Sequence, residues 1–78
     1  MISPVNLLEF LKSLEWELIP DGQQDGLYIL RNPKFPSRQL VFPMEETAPD
    51  YEEALLRVVE KLEEMLHESL RSMIHGSG

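Results

Sequence analysis

The chain has 78 residues, 42% of them hydrophobic and none of them cysteine. That is enough for one domain near the lower size limit, and it excludes disulfides, thiolate catalysis and thiolate metal sites. Fourteen Asp and Glu against seven Lys and Arg leave a net charge of −7, which disfavours phosphate backbones and anionic lipid as partners.

Ser3-Pro4 reads as a helix start, because the Ser side chain accepts from exposed backbone N–H groups and Pro fits the first turn. Val5, Leu8, Leu11 and Leu14 then recur at helical spacing, with Leu7 and Phe10 widening the stripe, so a helix is expected to end near Ser13 or Leu14. The period changes to two in Glu15-Trp16-Glu17-Leu18-Ile19, where Trp16 and Leu18 share one face of a strand. Pro20 to Gly26 supplies turn residues, and Leu27 to Arg31 is rich in strand formers. Two prolines break the chain between Asn32 and Ser37, and Gln39 to Phe42 resumes as a third strand stopped by Pro43. A second helix opens at Thr47 or Asp50, either of which can cap it, with Glu52 and Glu53 suited to its positive end. Its apolar positions are Leu55, Val58, Val59, Leu62, Met65, Leu66, Leu70, Met73 and Ile74.

The order is α-β-β-β-α, an α+β fold in which a three-stranded antiparallel meander carries two helices on one face. Residues 1–74 form a single domain. The His75-Gly76-Ser77-Gly78 end reads as a flexible tail or an appended remnant, leaving open a free-standing protein or the first piece of a longer one.

The second helix spans about 25 residues, or roughly 38 Å, whereas a six-residue strand covers only about 20 Å. Its first half, through about Leu62, is expected to pack on the sheet, and its second half to project with Leu66, Leu70, Met73 and Ile74 still apolar. The 4-3-4-7 spacing of Leu55, Val59, Leu62, Leu66 and Met73 fits a short coiled-coil seam, interrupted at Ser69. A partner is therefore expected at this end, either a second copy of the chain or a downstream domain; the alternative is a helix that frays after Glu68 or folds back as core.

The words Phe10-Leu11-Lys12-Ser13-Leu14-Glu15-Trp16-Glu17-Leu18, Tyr28-Ile29-Leu30-Arg31-Asn32-Pro33 and Leu40-Val41-Phe42-Pro43 resemble the HicA-type toxins. These are small bacterial mRNA interferases with a double-stranded-RNA-binding-domain-like α-β-β-β-α fold. The likeness spans about residues 5 to 66. It implies a catalytic His at the start of the second strand, but the corresponding position is Leu27, which can neither accept nor donate a proton. The family's second helix tends to be basic, whereas this one begins Asp50, Glu52, Glu53. The resemblance implies a retained fold without the nuclease chemistry, so no enzyme is expected.

No cofactor or metal is expected either. His67 and His75 lie about 80° apart on the helix, and Glu60, Glu63, Glu64 and Glu68, interleaved with Arg57 and Lys61, read as a solvated face. Trp16 and Tyr28 read as packing residues. Arg31, Lys34 and Arg38 bracket a loop centred on Phe35, which is read three ways: a hairpin tip with Phe35 folded back, a contact for a partner's acidic helix start, or an RNA contact. The N-terminus shows no cationic start followed by an apolar core, and no segment reaches the roughly 20 apolar residues of a membrane span, so the cytoplasm is the expected compartment, and the resemblance implies that of a bacterium. The expectation is a non-catalytic protein-interaction or oligomerisation module, with an RNA-binding module or degenerate interferase as the alternative.

Overall fold

The computed structural model describes residues 2–76 and has the expected order of elements. Helix α1 runs Pro4–Ser13, strand β1 Glu17–Ile19, β2 Leu27–Arg31, β3 Gln39–Pro43 and helix α2 Tyr51–Gly76. The strands form one antiparallel sheet in the order β1-β2-β3. Its register sets Leu18 opposite Leu30 and Leu30 opposite Leu40, with Tyr28 opposite Phe42. Because side chains alternate along a strand, these residues share the face that both helices cover. Leu7, Leu8 and Leu11 of α1 meet Leu30, Leu40 and Phe42 of the sheet and Ala54, Val58 and Met65 of α2 in one core.

Helix α1 starts as its sequence dictates: the Ser3 hydroxyl accepts from the Asn6 backbone N–H at 3.2 Å, and Pro4 occupies the first turn. Its buried stripe is Pro4, Leu7, Leu8 and Leu11, while Val5, Phe10 and Leu14 are exposed. The expected stripe is thus narrowed to Leu7, Leu8 and Leu11: Val5 falls among the polar positions Glu9 and Lys12, and Phe10 and Leu14 stand at the far edge of the apolar arc. The helix closes with paired bonds, Glu15 N–H to the Lys12 carbonyl and Trp16 N–H to the Leu11 carbonyl, both at 3.0 Å. That is the Schellman arrangement, and Leu11 and Trp16 make its accompanying apolar contact inside the core. The position usually given to Gly is held by Glu15, at φ 72°.

Two further details depart from expectation. Strand β1 begins at Glu17 rather than Glu15, because Glu15 and Trp16 are spent on closing α1. The Pro20–Asp25 turn residues form a 3₁₀ turn, ended by Gly26 at φ 72°. It lies on the second sheet face, where Ile19, Ile29 and Val41 stand in register. Gly22 is buried there, and a Cβ on it would meet Ile29 Cδ1 and Cγ1 at 2.7 Å and the Leu27 carbonyl oxygen at 2.9 Å. The carbonyl cannot swing aside as a side-chain tip can. Gly22→Ala is expected to cost about 1–3 kcal/mol by overpacking. A urea midpoint equal to that of the parent would contradict this, and Ile29→Ala in the same chain should recover part of the loss.

Helix α2 begins at Tyr51, so Asp50 is the residue that precedes it, its carbonyl accepting from the Ala54 N–H at 2.9 Å. Thr47 lies in the turns upstream. The helix takes in His75 and Gly76, which the composition assigned to the tail; Ser77 and Gly78 lie outside the described residues. Tyr51 is buried, and its hydroxyl donates to the Ile2 carbonyl at 2.6 Å, tying the segment before α1 to the start of α2. Burial, then the negative charge of Glu46, raises its phenol above the ordinary value of 10.0. A tyrosinate cannot donate this bond. The contribution is therefore whole below pH 10.0 and is lost as pH rises through the raised value. Tyr51→Phe is expected to lose about 0.5–1.5 kcal/mol at neutral pH, and its alkaline unfolding should lack the added steepness that Tyr51 gives the parent.

Candidate association surface

The rod formed by α2 is 26 residues long in a body with extents of 47 × 23 × 19 Å. Tyr51, Ala54, Val58 and Met65 bury one side of it, with Leu55 and Leu62 partly buried alongside. Packing thus extends past Leu62 to Met65, nearly a full turn beyond the expected limit. Near this stretch the Arg38 guanidinium of the β2–β3 loop reaches α2 and pairs with Glu64 at 3.1 Å and with Glu68 one turn further on. Lys61 adds a bond from Nζ to the Gln39 carbonyl of the sheet edge at 3.0 Å.

Beyond Met65 the apolar residues are open. Leu66, Leu70, Met73 and Ile74 are 59%, 49%, 69% and 72% exposed. The helix neither bends inward nor ends after Glu68. Leu56 and Val59 are also exposed, so an apolar strip follows the whole length of the rod rather than its end alone. Leu56 was missed in the sequence because it falls between the two positions of the heptad seam. A shallow depression of about 290 Å³ opens between Glu52, Leu55, Leu56 and Val59.

The loop residues come together but are turned to the chain's own needs. Phe35 is half-buried and stacks on Trp16, with ring centroids 6.3 Å apart and planes 10° from parallel. Asn32 is buried beneath the loop; its Oδ1 accepts from the Lys34 N–H at 2.9 Å, and its Nδ2 donates to the Leu14 carbonyl at 3.4 Å. Arg31 faces Glu17 at 3.9 Å, Lys34 pairs with Glu15 at 2.8 Å, and Arg38 is occupied as above. The Lys34 ammonium, first by its hydrogen bond and then by its charge, lowers the Glu15 carboxyl from its ordinary 4.5. What that pair adds to stability is present above the ordinary value and lost as pH falls through the lowered one.

Leu27, where the family likeness would place a catalytic His, is half-buried opposite Pro43. It lines a depression of about 300 Å³ between β3 and α2, bordered by Asp50, Arg57 and Lys61. His67 lies on the polar flank of α2 with Glu60, Glu63, Glu64, Glu68 and Arg71. Among the described residues, no group of three or more His, Cys, Asp or Glu is placed to hold a metal ion, and no helix is long and apolar enough to cross a membrane.

The architecture defines an α+β domain of the α-β-β-β-α kind. No protein-family model, no curated protein and no solved structure matches the chain.

Proposed function

We propose that the chain is a non-catalytic protein-interaction module of the bacterial cytoplasm that associates through the outer half of α2. The observation that carries the reading is the exposure of Leu66, Leu70, Met73 and Ile74 on a helix that continues past its sheet. Each large apolar side chain left in water forfeits roughly 1.5–3 kcal/mol of available burial. The strip is contiguous, which distinguishes it from the single apolar residues that ordinarily dot a surface. Small size, with neither disulfide nor cysteine-bound metal to reinforce the core, favours the same arrangement. The loop cations lend no comparable support to RNA binding, since Arg31, Lys34 and Arg38 each face a carboxylate of their own chain.

Amide hydrogen exchange along α2, read beside the mass in solution, tests the proposal. At high micromolar concentration, the amides after Met65 should resist exchange, and Leu66→Glu with Leu70→Glu should remove that resistance. A tip that exchanges like unfolded chain, or an assembly whose mass ignores both substitutions, would overturn it.

A further inference from the structure

We infer that the occupant of the strip is a second copy of this chain, laid antiparallel along the full exposed length of α2; the inference rests on the association reading above. Two observations beyond the tip itself point to it. First, Leu56 and Val59 extend the apolar strip back toward the start of the helix. At 3.6 residues per turn, Leu56, Val59, Leu62, Leu66, Leu70 and Met73 lie within an arc of about 120°. A partner that covered only the tip would leave Leu56 and Val59 wet. A reversed copy of the same helix is long enough to cover both ends, and self-complementary pairing of one patch is what a two-fold dimer requires.

Second, the charges beside the strip change sign along the rod. Glu60 borders its first half, where Glu63 falls inside the same arc, and Arg71 borders its second. Two further acids of this same flank, Glu64 and Glu68, are already held by Arg38. In a reversed pair centred between Glu64 and Met65, Val59 meets the second copy's Leu70 and Leu56 meets its Met73. Met73 is then level with the depression between Leu55, Leu56 and Val59. Each Glu60 stands between the levels of the second copy's His67 and Arg71. Pairing in the same direction would set Glu60 and Glu63 level with their own equivalents, like against like. Charge complementarity of this kind chooses register and orientation more than it adds affinity.

The chain's lack of cysteine makes the orientation directly measurable. Leu56→Cys and Met73→Cys each place one thiol at an exposed position. Mixed and oxidised with glutathione disulfide, the two variants should form the mixed disulfide in preference to either self-linked product, because only residues whose Cα atoms come within about 7 Å can be bridged. Arg71→Glu should weaken dimerisation about 2–5-fold, and Glu60→Arg in the same chain should restore it. Self-linked products from either variant alone, or a parent that scatters light as a monomer at high micromolar concentration, would overturn the antiparallel dimer. A dimer that persists in Leu66→Glu with Leu70→Glu would instead overturn the association reading beneath it.

Discussion

Replacing Leu66 and Leu70 with Glu together is expected to convert the associated protein to a folded monomer, with affinity lowered at least about 100-fold. Two buried Leu side chains represent roughly 3–6 kcal/mol for each chain, and each 1.4 kcal/mol is a factor of ten. Burying the two new carboxylates would cost still more. The fold itself has little to lose, because both positions are exposed and Glu is a good helix former. The carboxylate introduced at position 66 lies one turn from Glu63, a like-charge spacing that costs about 0.5 kcal/mol or less. Light scattering reads the mass and circular dichroism the fold. A loss of helix and strand along with the mass would show that the two leucines serve the core instead.

Trp16→Ala is expected to be the most damaging single change to the monomer, costing about 3–5 kcal/mol. A domain of this length holds roughly 4–12 kcal/mol in total, so the variant should be at least partly unfolded at 37 °C. Trp16 has three attachments at once. Its backbone N–H, which the substitution leaves in place, bonds the Leu11 carbonyl, while its side chain fills the core beside Leu11 and is the surface on which Phe35 stacks. Its removal should therefore loosen the β2–β3 loop as well as α1. Circular dichroism must follow the unfolding, because the chain contains one tryptophan. Trp16→Phe should retain about half or more of the lost stability, since an aromatic ring still meets Leu11 and Phe35. A thermal midpoint within a few degrees of the parent for Trp16→Ala would contradict this view of the core.

The element order was readable because punctuation in this chain is strong. Ser3-Pro4, the prolines at 33, 36 and 43, and the switch from a period of about four to a period of two mark the borders that the structure shows. The excess length of α2 was readable for the same reason: no Gly or Pro interrupts it before Gly76. What stayed hidden was decided by tertiary contact. Which part of the α1 stripe reaches the core could not be read, since Leu7, Leu8, Phe10, Leu11 and Leu14 spread over an arc of about 160°. Glu15 in a left-handed conformation carries no local signal, as that place usually calls for Gly. How far along α2 the core would reach, to Met65 rather than Leu62, was set by packing across the fold. Phe35 had three readings in the sequence, and only its placement over Trp16 separates them. The second sheet face, where Ile19, Ile29 and Val41 stand in register, went unread, because the 3₁₀ turn that lies on it was spelled only as turn residues.

The grip of Arg38 on Glu64 and Glu68 has a mechanical consequence. The guanidinium holds two successive turns of α2 on the flank opposite the apolar strip, so swinging the rod away from the sheet would strain both ion pairs together. The bearing of the outer helix is thereby set before any encounter. A molecule docking there, as proposed above, would meet a surface already aimed, with little freedom left to be surrendered on contact.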